Sequence, residues 1–147
     1  MLDGIINYQS GAAFGVSANN VSRSFNQASY ANSKGYSGKL SGNAEDRLNR
    51  WFDTTAFSQP DAFTIGNMGP RSSDLRNDKV ANWDLSLSKD FHPVERLRVQ
   101  FRADALNAWN HPRFGGPSTS FTSTSFGIVS SQSNAPRQVQ LGLKLLF

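Results

Sequence analysis

The sequence predicts an all-β chain, an antiparallel transmembrane β-barrel segment with long loops on one side. Three observations predict it. Runs of alternating apolar and polar residues recur at lengths that suit a bilayer-crossing strand. The connections between those runs alternate between very short and very long, as membrane barrels pair short periplasmic turns with long extracellular loops. The composition, 37% hydrophobic and 18% charged with abundant Gly, Ser, Asn and Phe, suits strands and turns better than a helical bundle.

The first element, residues 4–14, reads as a weak strand, because Ile5 and Ile6 are adjacent and Gln9-Ser10-Gly11 is polar. Residues 83–91 are cleaner: Trp83, Leu85 and Leu87 alternate with Asp84, Ser86 and Ser88, and Phe91 closes the run. His92-Pro93-Val94-Glu95 then reads as a tight turn, since proline fixes φ and lacks a donor. Residues 96–107 follow as a strand in which Leu97, Val99, Phe101, Ala103 and Ala105 alternate with Arg96, Arg98, Gln100, Arg102 and Asp104. The last strand covers residues 138–147, where Val139, Leu141, Leu143, Leu145 and Phe147 alternate with Gln140, Gly142 and Lys144. Its length matches the ~9–11 residues that a tilted strand needs to cross a bilayer.

Residues 15–81 and 108–136 are irregular and rich in Ser, Asn, Gly and Pro. A compact soluble domain seldom carries connections of that length. A short helical turn is expected within residues 43–51, and Phe126-Gly127-Ile128-Val129 is a candidate strand extension. Trp51, Phe52, Phe57, Phe63 and residues 71–79 either line an extracellular vestibule or pack against one another.

Direction follows if the Pro93 turn is periplasmic. The strand ending at Phe91 descends, the strand after it ascends, and the last one descends to Phe147. Phe91 and Phe147 then mark the lower interface, and Trp83 and Trp109 the upper one, as paired aromatic girdles. Parity points Lys89 to lipid, near the lower rim, where a long side chain can snorkel to water.

The same parity puts Asp84, Asp90, Arg96 and Arg102 on the polar, lumen-facing side, where they are expected to form charge pairs. Directly opposed residues of the hairpin should have numbers summing to an even value. Of the two registers that fit a short turn, one sets Asp90 across from Arg96 and Asp84 across from Arg102. The other sets Asp90 across from Arg98 and Asp84 across from Asp104. Opposed like charges are unfavourable, so the first is expected.

Other chemistries find little support. The formal charge is +4, but the 15 Lys and Arg residues are scattered, so no nucleic-acid partner is expected. With no cysteine there is no disulfide framework or thiolate metal site, and the redox compartment is left open. No run approaches the ~20 apolar residues of a membrane-spanning helix. His92 and His111 both precede proline and have no Cys, Asp or Glu at ligand spacing, so they read as turn residues and no metal is expected. No Gly-x-Ser-x-Gly elbow is present, and Gly115-Gly116 lacks the Lys-Ser/Thr of a phosphate loop. No catalytic residue, cofactor or enzymatic activity is expected.

A resemblance sharpens these readings. The run Asn82-Trp83-Asp84-Leu85-Ser86-Leu87-Ser88-Lys89-Asp90-Phe91, then Glu95-Arg96-Leu97-Arg98-Val99-Gln100-Phe101-Arg102-Ala103, Asn107, Asn110-His111-Pro112, Phe114-Gly115 and Pro136-Arg137-Gln138-Val139-Gln140-Leu141-Gly142-Leu143-Lys144-Leu145-Leu146-Phe147, resembles the end of TonB-dependent receptors of the Oar-like group. Tyr8-Gln9-Ser10-Gly11 and Trp51-Phe52-Asp53-Thr54-Thr55-Ala56-Phe57 resemble the same group, and residues 17–46 do so least. Gln140, Gly142, Leu145 and Phe147 occupy the places of the assembly signal of bacterial barrels.

The resemblance implies the last four or so strands of a barrel of about 22 strands, in the outer membrane of a Gram-negative-type bacterium. It implies energy-coupled uptake of a large solute in a whole receptor that carries a carboxypeptidase-regulatory-like domain and a plug. The implied partners are outer-membrane lipid, the rest of the barrel and the plug, the barrel assembly machinery, and the TonB complex through the N-terminal part. Residues 1–147 hold no recognisable signal peptide or plug, so the chain is expected to be a C-terminal fragment, inactive in transport by itself. The alternative is a small self-contained β-barrel or sandwich for binding or adhesion. That would require at least four more strands inside residues 15–81 and 108–136.

Overall fold

The computed structural model describes residues 1–23 and 29–147; residues 24–28, part of the first irregular stretch, lie outside the described residues. The described elements, in chain order, are β1 (Leu2–Gln9), β2 (Asn32–Ser33), a 3-10 turn (Glu45–Arg47), a second one (Thr54–Ala56), β3 (Phe57–Ser58), β4 (Val80–Val94), β5 (Leu97–Leu106) and β6 (Gln138–Leu146). They form two compact units.

The first unit comprises Met1–Gln9, Val80–Arg113 and Ser133–Phe147. It is an antiparallel sheet in the order β1-β4-β5-β6. Period-two alternation builds it, because successive side chains of a strand point to opposite faces. Leu85 lies opposite Ala105 and Leu87 opposite Ala103, while Phe101 lies opposite Leu143 and Val99 opposite Leu145. On the other side of β4, Leu2 faces Leu87 and Ile6 faces Trp83. Leu97, Val99, Phe101, Leu141, Leu143 and Leu145 therefore share one face, as expected. That face is not a closed interior: Leu141 and Leu143 are each 67% exposed.

Strand limits depart from the sequence expectations: β1 starts two residues early, at Leu2, β4 starts at Val80 and not at residue 83, and two C-terminal ends differ more. β1 ends at Gln9 rather than reaching residue 14, and beyond it only an isolated bridge joins Ala13 to Arg76. β4 runs through His92 and Pro93 to Val94, so the turn is Glu95-Arg96 and not the residues around Pro93. A proline is tolerated there because the ladder is already broken: pairing steps from Phe91–Val99 to Val94–Leu97, two residues of β4 against one of β5.

That bulge also decides the register. A two-residue turn closing on Val94 and Leu97 would, in an unbroken ladder, bring Asp90 opposite Phe101 and mix the two faces. The extra residue restores parity, and Asp90 lies opposite Gln100 and Ser86 opposite Asp104. Opposed numbers do sum to an even value over this region. Neither register that a short turn at Pro93 would allow is formed, including the one that charge favours, because backbone turn and bulge geometry outweigh surface ion pairs worth about 0.2–1 kcal/mol.

The second unit comprises Ser10–Lys79 and Phe114–Gln132. Its regular structure is slight: β2 pairs with β3, and isolated bridges join residues such as Ser17 with Tyr30 and Lys39 with Phe52. A 3-10 turn does occur at Glu45–Arg47. The expected strand extension at residues 126–129 is only a single bridge, Ser118 to Phe126.

Despite its irregular backbone this unit has a hydrophobic core of Val16, Ala31, Trp51, Phe52, Ala56, Phe57, Leu75 and Val129. The Phe52 ring is fully buried, with Phe57 and Phe126 edge-on at centroid distances of 5.7 and 5.2 Å. Buried Asp78 bonds both the Lys79 and Phe114 backbone amides at 2.9 Å, joining the two chain segments that make up the unit.

Candidate functional site

The four-stranded sheet carries the residues singled out by sequence, and its two faces differ in chemistry. One rung of the polar face runs Asp3, Ser86, Asp104 and Gln140 across all four strands. A groove follows this face, lined among others by Asp84, Ser88 and Arg102. Every polar side chain here is placed by parity. A strand that sends Leu85 and Leu87 to one side must send Asp84, Ser86 and Ser88 to the other.

Two ion pairs form on this face among the described residues, though not those expected. Arg98 Nη2 meets Asp90 Oδ2 at 2.5 Å, and Arg102 Nε meets Asp104 Oδ2 at 2.9 Å, two residues along the same strand. Asp104 also accepts from the Ser86 hydroxyl across the strand pair. Asp84 has no arginine partner: its carboxylate accepts from Asn82 Nδ2 and from the Asn107 amide, both at 2.9 Å. Arg96 lies in the exposed hairpin turn. The expected pairs Asp90–Arg96 and Asp84–Arg102 are thus replaced, because the register displaces β5 relative to β4.

On the apolar face, Trp83 and Trp109 meet edge-on with ring centroids 6.4 Å apart. Trp109 lies just past the end of β5, and the Ala108 amide donates to the Trp83 carbonyl at 2.8 Å, which brings the indoles together. Phe91 lies on the same face at the opposite end of β4, half exposed, with Lys89 Nζ 5.9 Å from its ring centroid. Phe147 lies just beyond β6 and is 95% exposed. Of the other assembly-signal residues, Gln140 and Gly142 lie on the polar face and Leu145 on the apolar one.

Sequence reasoning missed the knot at the C-terminal end of β5. Asn107 is buried and takes a left-handed backbone at φ 49, ending the strand. Its side chain accepts from the His111 amide at 3.0 Å and donates to the Ala135 carbonyl at 3.1 Å. Asn134 Nδ2 bonds the His111 carbonyl at 2.9 Å, and Asn110 Oδ1 receives the Arg137 amide at 3.0 Å. The available signal was three asparagines around short turns, since Asn tolerates the left-handed region and caps its own backbone.

The candidate vestibule residues divide. Trp51, Phe52 and Phe57 are buried in the core of the second unit, so they do not line an open surface, whereas Phe63 is 70% exposed. Asp53, in the same unit, accepts from the Thr55 hydroxyl at 2.8 Å and the Thr55 amide at 3.1 Å, and pairs with Arg50. These contacts, the Thr55 hydroxyl first, hold its carboxyl below the usual carboxylate range. Among the described residues, no cluster of three or more His, Cys, Asp or Glu could hold a metal ion.

A family model described as "Outer membrane beta barrel domain" matches residues 1–140. No curated protein and no solved structure matches the chain.

Proposed function

The chain belongs to the outer membrane β-barrel domain family, and from that premise we propose that it forms the last four strands of a TonB-dependent receptor barrel of the Oar-like group. Its location is the outer membrane. The reading rests chiefly on one observation: the sheet is open, with β1 and β6 as edges, while one face is apolar and exposed and the other is polar and carries two ion pairs. Unpaired strand edges are not tolerated in hydrocarbon. In this reading further strands complete a barrel of about 22 strands in all, as the resemblance implies.

In this reading the Glu95-Arg96 hairpin is periplasmic, and residues 10–79 and 107–137 form extracellular loops. The polar face lines the lumen against a plug carried elsewhere in the receptor. The role is passage of a large solute driven by the TonB complex, and not catalysis. The barrel assembly machinery inserts the chain through Gln140, Gly142, Leu145 and Phe147. A self-contained module is disfavoured, because the described part of residues 10–79 holds only two two-residue strands.

The test is the polypeptide that carries this sequence in an outer-membrane preparation. Peptides of residues 1–147 should occur in a much larger protein that holds a plug and binds the TonB C-terminal domain. Recovery solely as a 16.1 kDa species with no TonB binding would contradict it.

A further inference from the structure

Among the outward residues of the described sheet, Lys89 alone is charged. It lies opposite Phe101, between Leu87 and Phe91 on its own strand. Both ion pairs of the sheet, Arg98–Asp90 and Arg102–Asp104, lie on the other face, and no carboxylate among the described residues pairs with Lys89. A lipid-facing ammonium is costly at the bilayer midplane and nearly free at the interface, so the side chain must lead its charge toward the rim. It does so: Nζ lies 5.9 Å from the Phe91 ring, the next outward residue toward the hairpin. In the reading proposed above Phe91 is an interface aromatic, at the depth where headgroups begin.

We propose that Lys89 binds the headgroup phosphate of an anionic phospholipid in the periplasmic leaflet, with the Phe91 ring holding the ammonium at headgroup depth. The bilayer supplies the counter-ion that the sheet withholds. A cation over an aromatic face keeps its outer side free, so the contact with Phe91 and the bond to phosphate are compatible. The choice of leaflet rests on the orientation proposed above.

The experiment uses the complete barrel in detergent, with phosphatidylglycerol and phosphatidylcholine of equal chain length competing for it, and native mass spectrometry counting each bound lipid. The parent should prefer phosphatidylglycerol, and Lys89→Met should lower that preference about fivefold, the equivalent of about 1 kcal/mol per basic residue near an anionic surface. Lys144→Gln, on the polar face, should leave it unchanged. Lys89→Met adds an apolar group to an apolar face, so it folds if the assignment of faces is right.

An unchanged preference in Lys89→Met, an equal loss in Lys144→Gln, or no preference in the parent would each overturn the proposal. So would displacement of the lipid by inorganic phosphate, which would mark a water-exposed anion site. Orientation is read separately, by labelling Glu95→Cys in intact cells with a membrane-impermeant maleimide. Labelling from outside would overturn the leaflet assignment whatever the lipid preference.

Discussion

Arg98 Nη2 bonds Asp90 Oδ2 at 2.5 Å although the two residues are not opposed: Asp90 faces Gln100, and Arg98 faces Leu146. The pair is diagonal across the β4–β5 hairpin, and it is the ion pair that the bulge at His92-Pro93 makes possible. A double-mutant cycle on Asp90 and Arg98, read by denaturant unfolding in lipid, should give a coupling of about 0.2–1 kcal/mol. The cycle on Asp90 and Arg96 should give none. The opposite ranking would restore the register expected from charge.

The assignment of faces makes a larger contrast between neighbours on β6. Leu143→Arg should cost about 2–4 kcal/mol if the residue lies at the bilayer midplane and less toward either interface, while Lys144→Gln should be nearly neutral. Both are measured by the same titration in the complete barrel. Equal costs at the two positions would mean that β6 is turned over.

At Asn107 two effects separate. Ala loses the side-chain bonds to His111 and Ala135 and must also hold φ 49, whereas Gly loses only the bonds. Asn107→Ala should therefore be less stable than Asn107→Gly by about 1–2 kcal/mol, the ordinary cost of a left-handed conformation for a residue with a Cβ. Equal stabilities would show that the backbone relaxes out of that region.

Phe52 tests whether the second unit is a packed body. Its truncation to Ala should cost about 3–5 kcal/mol, as for a large core aromatic. The loss should appear as faster hydrogen exchange at the Ala31 and Trp51 amides, which bond Val16 and Gly127, with the β5 amides unchanged. Unchanged exchange at Ala31 would argue against a common core.

Asp53 gives that unit an acid-sensitive cap. Its folded pKa is lowered from 3.8, so its contribution is present above that value and is lost as pH falls through the lower folded value. Exchange at the Thr55 amide should accelerate only in that acidic window. In Asp53→Asn it should no longer depend on titration there, and a parent response centred near neutral pH would contradict the assignment.

The central parts of β4, β5 and β6, and the face that each residue of them serves, were legible in the sequence alone, because alternation is a local property with period two; β1, with Ile5 beside Ile6, was not. Leu97, Val99 and Phe101 share a face with Leu141, Leu143 and Leu145 in any register that keeps parity, so no knowledge of the pairing was needed to group them. The register was set by backbone geometry that alternation does not encode. A turn moved to Glu95-Arg96 and one extra residue at His92-Pro93 together shift the pairing by an amount that leaves the hydrophobic pattern unchanged, although either alone would mix the faces. The ion pairs followed that shift, and Asp90 found Arg98 rather than Arg96. The core of the second unit was equally hidden: Phe14, Phe52, Phe57 and Phe126 obey no period and come together through long-range closure of irregular chain. Such contacts depend on where distant segments meet, and that leaves no mark on the residues next to them.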